Sequence, residues 1–98
     1  MHKLTIVIPC YNEVLTLETC VERVMAIQDD ELALEVIIVD DASTDQSVDI
    51  AKMLKDRFPE IRVMQHGENQ GKGASLRTGF AHASGDFVAV QDADLEYD

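Results

Sequence analysis

Long hydrophobic runs are missing from this sequence. Its longest apolar stretches, residues 4–9 and 36–39, fall far short of the roughly 20 residues that a membrane-spanning helix needs. The N-terminus does not have the pattern of a secretory signal peptide either, because its apolar stretch is short and stops at Pro9. We therefore expect a cytoplasmic protein.

Cysteine and basic residues are both scarce. Cys10 and Cys20 are the only cysteines, and since neither belongs to a Cys-x-x-Cys pair, their spacing indicates neither a zinc site nor a disulfide framework. They are more typical of small buried hydrophobic residues than of reactive thiols. The chain has 8 Lys and Arg residues against 19 Asp and Glu residues, a net charge of −11 that disfavours nucleic acid as a partner. An anionic ligand would need a local cation held by carboxylates.

The rest of the composition is that of a globular protein. The chain has 98 residues, of which 46% are hydrophobic, so we expect residues 1–98 to form a single folding unit. Short runs rich in Ile and Val predict strands, and between them apolar residues recur at helical spacing. The predicted strands cover residues 4–8, 36–39, 61–64 and 87–90.

Three helices are predicted between these strands. The first carries Val14, Leu17, Val21 and Val24 on one face, with Asn12 as its cap. The second begins at a capping box formed by Ser43 and Gln46, and the third covers about residues 73–83. This alternation indicates an α/β fold, a Rossmann-like parallel sheet with helices on both faces. Because ligands bind at the carboxyl ends of such strands, residues 9–13, 40–45, 65–73 and 91–98 should line one crevice.

The last of these segments is strongly acidic. Asp92, Asp94, Glu96 and Asp98 occupy alternate positions, so in an extended chain their carboxylates point the same way. Oxygen ligands of this kind suit Mg²⁺ or Mn²⁺, which would bridge the protein to phosphate oxygens. The alternative is an acidic, solvated chain end.

Two other segments carry candidate ligand contacts. Asp40 ends a buried strand, where its carboxylate could accept hydrogen bonds from a base or a ribose, whereas Ser43 and Asp45 are explained by the start of the next helix. Residues 67–73 lack the spacing of a phosphate-binding P-loop. Their glycine backbone could still approach a pyrophosphate with Lys72 supplying charge, or the segment could be a flexible loop with a solvated lysine. His2, His66 and His82 are expected to be polar surface residues.

Four motifs together resemble a known family. They are Ile-Pro-Cys-Tyr-Asn-Glu at 8–13, Val-Asp-Asp-Ala-Ser-Thr-Asp at 39–45, Asn-Gln-Gly-Lys-Gly at 69–73 and Asp-Ala-Asp-Leu at 92–95. With these motifs the chain is similar to the family 2 glycosyltransferases of the GT-A fold, and within them to dolichol-phosphate and polyprenyl-phosphate mannosyl- and glucosyltransferases. The resemblance covers nearly the whole chain and corresponds to the N-terminal, donor-binding portion of that family.

This resemblance implies roles for individual residues. Pro9, Tyr11 and Glu13 would frame the nucleoside, while Asp40 and the backbone near Ile38 would hold the base. Asp92 and Asp94, the family's Asp-x-Asp pair, would bind the metal and the donor diphosphate, with Ala93 between them in the donor site. Glu96 stands where close relatives often carry Gln as a further metal ligand.

The resemblance also implies a reaction. The full-length protein would transfer a hexose from a UDP- or GDP-linked donor to an acceptor such as a polyprenyl or dolichyl phosphate, with inversion at the anomeric carbon, and could work at the cytoplasmic face of a membrane. No residue can be nominated as catalytic base, and we expect the 98-residue chain alone to be inactive. An unpaired sheet edge would allow self-association through strand pairing. The alternative is a nucleotide-sugar-binding or regulatory module without catalysis.

Overall fold

Parallel strands form the centre of the molecule. A computed structural model describes residues 2–93 of the chain. In this range, strands and helices alternate along the sequence: β1 (His2–Cys10), α1 (Leu17–Met25), β2 (Leu32–Asp40), α2 (Ser47–Arg57), β3 (Ile61–Gln65), α3 (Lys72–His82) and β4 (Phe87–Val90). The four predicted strands and the predicted α/β alternation are confirmed.

The sheet has the strand order β3-β2-β1-β4, and all its pairings are parallel. The chain moves outward in one direction from β1 to β3 and then crosses back to place β4 on the other side of β1. The strand order therefore reverses between β1 and β4. In open α/β sheets, such a reversal opens a crevice at the carboxyl ends of the strands.

Helices cover both faces of the sheet, as the sequence predicts. On one face, α1 and α2 bury Leu17, Val21 and Leu54 against strand residues such as Ile8 and Ile38. The opposite face is smaller. There, α3 packs against a second apolar cluster, which contains Val7, Ile37 and Val39 together with the partly buried Met64 and Leu76.

Gly79 allows α3 to pack close against the sheet. Glycine disfavours the interior of a helix by about 1 kcal/mol relative to alanine, so its place inside α3 needs a structural reason. A Cβ atom at Gly79 would lie 2.3 Å from Cγ1 of Val7. The missing side chain is therefore what allows the helix to rest on β1.

The predicted helix caps are wrong. α1 begins at Leu17, and Asn12 lies well before it with a positive φ of 55°. α2 begins at Ser47 rather than beside Ser43, whose hydroxyl donates to Oδ1 of Asp40 at 2.6 Å and accepts the N–H of Asn12 at 2.9 Å. At Asn12 and Ser43, other contacts therefore replace the predicted capping, whereas Asp45 accepts the N–H of Ser47, the first residue of α2, at 2.8 Å, in agreement with its predicted place at the start of this helix.

Within residues 2–93, β3 and β4 form the two edges of the sheet. β4 pairs with β1 on one side, and the side chains of Phe87, Val88 and Val90 are exposed. Self-association through this edge stays a prediction. None of the helices in the described range is long and apolar enough to cross a bilayer.

Candidate functional site

A cleft of about 160 Å³ opens where the strand order reverses, at the carboxyl ends of β1 and β4. Each of the four segments predicted to converge contributes to it, so the convergence that the sequence predicted is confirmed. Asp40 is the last residue of β2 and Asp92 follows β4, so both lie at the carboxyl edge of the sheet. The lining residues are Pro9, Cys10, Tyr11, Glu13, Asp41, Lys72, Ser75, Asp92 and Ala93.

The loops after β1 and β2 are held together by reciprocal hydrogen bonds. The N–H of Asp41 donates to the carbonyl of Cys10 at 2.9 Å. Oδ1 of Asn12 accepts the N–H of Thr44 at 2.8 Å, while the N–H of Asn12 donates to Ser43. Asn12 and Ala42 both have positive φ values, of 55° and 61°, which turn these loops sharply toward each other. The wall of the cleft on this side is thus a double loop rather than two independent turns.

The residues predicted to frame a nucleoside lie together in this wall. Pro9, Tyr11 and Glu13 all line the cleft, and the side chain of Tyr11 is 45% exposed, which leaves its ring accessible to a ligand. The backbone of Glu13 is tied to the start of α2, because its N–H donates to Oγ of Ser47 at 2.8 Å. This segment therefore presents an aromatic ring on an anchored backbone.

The two residues predicted to hold the base lie deeper. Ile38 is fully buried in the middle of β2, paired with Ile8 and Val63 on the neighbouring strands, and it does not line the cleft. Asp40 is 1% exposed, and its carboxylate accepts the backbone N–H of Ser43 at 3.0 Å as well as the hydroxyl of Ser43. Asp40 thus has a structural role in its own turn, and a contact of Asp40 with a base stays a prediction.

Asp41 is the acidic residue of this loop that reaches the cleft, although nothing in the sequence pattern distinguishes it from Asp40 and Asp45. Asp41 is 4% exposed. Its Oδ1 accepts the N–H of Gln70 at 2.9 Å, and its Oδ2 accepts the N–H of Gly71 at 2.8 Å. Nδ1 of His66 lies 2.8 Å from Oδ1. Burial alone would favour the neutral acid, but the hydrogen bonds from His66 and the two backbone N–H groups outweigh it and lower the pKa of Asp41.

The interpretation of His66 as a surface residue is wrong. Its side chain is 9% exposed, and its two ring nitrogens contact Asp41 and Thr78. The signal in the sequence was its position, because His66 directly follows β3 and so lies at the edge of the sheet where the loops converge. His2 and His82 are exposed, as expected.

The glycine segment, residues 67–73, does not have its backbone N–H groups placed as predicted for contact with a pyrophosphate. The N–H groups of Gln70 and Gly71 donate to Asp41 and so are not directed at a phosphate. Lys72, the first residue of α3, does line the cleft, and its Nζ lies 2.5 Å from Oδ1 of Asp92. The positive charge that this segment brings to the cleft is therefore carried by the side chain of Lys72, whereas the backbone N–H groups of Gln70 and Gly71 are already used.

Asp92 is the predicted metal ligand that the structure describes. Its side chain is 53% exposed and lines the cleft, which suits a carboxylate that gives one oxygen to a divalent cation. Asp94 and Glu96, the other predicted ligands, lie outside the described residues. Asp41 does not fit as a ligand, because its oxygens already accept three hydrogen bonds. Among residues 2–93 no group of three or more His, Cys, Asp or Glu residues is placed to hold a metal ion.

Neither cysteine is placed for nucleophilic chemistry. Cys10 borders the cleft but is 2% exposed, and Cys20 is 1% exposed. Burial, and after it the negative charge of Asp40, raises the pKa of the Cys10 thiol to about 12. Both thiols therefore act as small buried side chains, as the sequence predicted.

A parallel sheet with this strand order and a cleft of this lining define a GT-A type fold. The chain belongs to glycosyl transferase family 2, whose family model matches residues 5–98. The dolichol-phosphate mannosyltransferase of Pyrococcus furiosus is 35% identical over 96 residues, which cover 97% of this chain and 26% of that protein. The chain spans roughly a quarter of the length of the curated relatives it matches.

Solved structures of two glycosyltransferases share the fold. The mannosyltransferase PcManGT of Pyrobaculum calidifontis, in complex with GDP-Man and Mn²⁺, superposes with a TM-score of 0.82 at 30% identity, over 93% of this chain and 27% of that chain. Residues 1–349 of TarS from S. aureus, in complex with UDP-GlcNAc, superpose with a TM-score of 0.81 at 26% identity, over 94% of this chain and 26% of that one.

Proposed function

We propose that this chain is the donor-binding part of a metal-dependent hexosyltransferase that uses a UDP- or GDP-linked sugar. The observation that carries the proposal is the convergence of Tyr11, Lys72 and Asp92 on one cleft at the carboxyl edge of the sheet. An aromatic ring for a base, a cation for a diphosphate and a carboxylate for a metal are the three groups that a sugar nucleotide requires. Support also comes from the relatives, since PcManGT is described with GDP-Man and Mn²⁺ and TarS with UDP-GlcNAc.

Different residues of the cleft would bind different parts of the sugar nucleotide. Tyr11, with Pro9 and Glu13 beside it, would receive the nucleoside, while Lys72 would approach the diphosphate. A divalent ion held by Asp92, together with Asp94 and Glu96, would neutralise the charge that develops on the departing nucleoside diphosphate. Because the net charge of the protein is −11, binding of an anion in the cleft requires the positive charges of Lys72 and the metal ion.

The acceptor is proposed to be a polyprenyl phosphate, at the cytoplasmic face of a membrane. Support comes from relatives whose names include dolichol-phosphate and undecaprenyl-phosphate transferases. A phosphate oxygen is already ionised at neutral pH, so it would attack the anomeric carbon with little help from a general base, and attack opposite the leaving group inverts that carbon. Transfer of labelled hexose to a polyprenyl phosphate by the full-length protein would test this step.

Donor binding is tested by thermal unfolding of the chain with UDP-glucose or GDP-mannose, with and without Mn²⁺. A donor at ten times its Kd stabilises the folded state by about 1.4 kcal/mol, which raises the Tm by roughly 5–10 °C in a domain of this size. We expect this shift only when the metal is present, and we expect Asp92→Ala to abolish it. Asp56→Ala is the control, because it removes an exposed carboxylate at the far end of α2. An equal shift without metal would contradict the proposal.

A further inference from the structure

A buried chain of hydrogen bonds runs from the loop after β2 to helix α3 through His66. Nδ1 of His66 lies 2.8 Å from Oδ1 of Asp41, and its Nε2 lies 2.8 Å from Oγ1 of Thr78. The side chains of His66 and Asp41 are only 9% and 6% exposed. The backbone N–H of His66 also donates to the carbonyl of Asp40 at 2.9 Å, which keeps the ring beside this loop.

The direction of the hydrogen bonds follows from the charge of Asp41. Burial raises the pKa of Asp41, but its hydrogen bonds outweigh burial and lower this pKa. The carboxylate is therefore ionised and can only accept hydrogen bonds. Nδ1 of His66 must then carry the hydrogen and donate it. In the neutral ring, Nε2 accepts the hydroxyl hydrogen of Thr78, so the bonds run from Thr78 through His66 to Asp41.

The Asp41 carboxylate that contacts His66 also accepts hydrogen bonds from the glycine segment, residues 67–73. Asp41 accepts the N–H groups of Gln70 and Gly71, and its carbonyl accepts the side-chain amide of Asn69 at 3.4 Å. Gly71 has a φ of 93° and directly precedes Lys72, the first residue of α3. The orientation of the Asp41 carboxylate therefore determines where α3 begins and where Lys72 stands relative to Asp92.

We infer that His66 is a positioning residue of the donor cleft, which acts through Asp41 to hold residues 67–71 and the side chain of Lys72 in place. His66 itself does not line the cleft, so it makes no direct contact with a ligand there. The part of the inference that concerns ligand affinity rests on the proposed function. The part that concerns the loop does not, and the two are tested separately.

Substitutions can separate the two contacts of His66. The amide nitrogen of Asn occupies about the place of Nδ1, so His66→Asn keeps a donor for Asp41 and loses the contact with Thr78. The amide group of Gln reaches about the place of Nε2, where its oxygen can accept the hydroxyl hydrogen of Thr78, so His66→Gln keeps the contact with Thr78 and loses that with Asp41. His66→Leu removes both. His82→Leu is the matched control, since it makes the same change at an exposed histidine of α3.

Amide hydrogen exchange of the ligand-free chain tests the loop directly. We expect the N–H groups of Gln70 and Gly71 to be protected in the wild type and in His66→Asn, and to exchange at least tenfold faster in His66→Leu and His66→Gln. His82→Leu should leave both amides protected. If His66→Leu does not fold, His66→Gln decides. Unchanged protection of both amides in folded His66→Gln would overturn the inference.

Binding of GDP-mannose and UDP-glucose in the presence of Mn²⁺, measured by calorimetry, tests the consequence for the cleft. We expect Kd to rise at least tenfold in His66→Gln and to stay within threefold of the wild-type value in His66→Asn. A His66→Gln variant with a lower Tm but a wild-type Kd would show a merely structural role and overturn the positioning role. If the wild type binds neither donor, the proposed function fails, whereas the exchange result still decides whether His66 holds the loop.

Discussion

Lys72 and Asp92 form an ion pair across the cleft, with 2.5 Å between Nζ and Oδ1. The two side chains are 59% and 53% exposed, so the pair is solvated and contributes little to stability, about 0–1 kcal/mol. Each partner belongs to a different component of the proposed ligand, since Lys72 suits the diphosphate and Asp92 suits the metal. The charges of Lys72 and Asp92 therefore compensate each other, and in the proposed complex a metal with a diphosphate would replace this pair.

Removal of the lysine charge should affect the two components in opposite directions. In Lys72→Gln we expect Mn²⁺ alone to bind more tightly, because Asp92 loses its competing cation, and the sugar nucleotide to bind about tenfold more weakly. Calorimetric titration with each ligand measures both effects. Lys52→Gln, at an exposed position of α2, is the charge-matched control. A joint fall in both affinities would argue against exchange of the pair by the ligands.

Glu35 should make the stability of the fold depend on acid. It lies in β2 with its side chain 9% exposed, and it accepts hydrogen bonds from Thr5 and Ser84 at 2.8 Å each. Burial opposes its ionisation, but the hydrogen bonds from Ser84 and Thr5, with the charge of Lys3, outweigh this and lower its pKa from 4.5 to about 2.

The sign of the effect follows from this lowered pKa. The ionised Glu35 contributes stability that is complete above about pH 4.5 and is lost as the pH falls toward 2. Between pH 6 and pH 3 we expect this residue to account for a loss of about 2 kcal/mol in the free energy of unfolding, measured by urea denaturation. Glu35→Gln should lack that contribution and be less stable at pH 6. The exposed control Glu31→Gln should keep the wild-type acid dependence.

The two glycines inside α3 should respond in opposite ways to alanine. Gly79→Ala places a Cβ 2.3 Å from Val7, so we expect destabilisation by about 1–3 kcal/mol despite the better helix propensity. At Gly73 the nearest atom is an Arg77 nitrogen at 3.5 Å, so Gly73→Ala should stabilise the protein by about 0.5–1 kcal/mol. Thermal unfolding of both variants measures the difference. A stabilised Gly79→Ala would mean that α3 does not rest on β1.

Both thiols should be inert in the folded protein. Cys10 and Cys20 are buried, and burial with the nearby charge of Asp40 raises the pKa of Cys10 to about 12. We expect no reaction with Ellman's reagent at pH 8 in native buffer, and reaction of both thiols in denaturant. Rapid labelling of Cys10 in the native state would show that the floor of the cleft opens.

The fold was largely readable from the sequence, because its signals are local. Runs such as residues 36–39 predicted buried strands, and the spacing of Leu17, Val21 and Val24 predicted the buried face of a helix. α3 was predicted within one residue at each end, even with Gly79 inside it. The convergence of four loops followed from the rule that the carboxyl ends of parallel strands share one edge.

The errors mostly involve contacts between segments that are distant in the sequence. Ser43 has the pattern of a helix cap, yet its hydroxyl is used by Asp40 and Asn12. His66 is an isolated histidine in the sequence, and its partners lie 25 and 12 residues away. The partners Asn12, Asp41 and Thr78 cannot be identified from spacing, because their proximity depends on the order of strands in the sheet.

The sequence by itself determined the alternation of strands and helices, the family and the edge at which the acidic and glycine-rich segments meet, since hydrophobic periodicity and short motifs are properties of neighbouring residues. Only the tertiary structure decided which polar groups remain available there. Asp41 is committed to the 67–71 loop, whereas Lys72 and Asp92 face each other across the cleft. The physical reason is that a buried carboxylate must be satisfied by donors, and those donors come from whichever segments the packing of the sheet brings within reach.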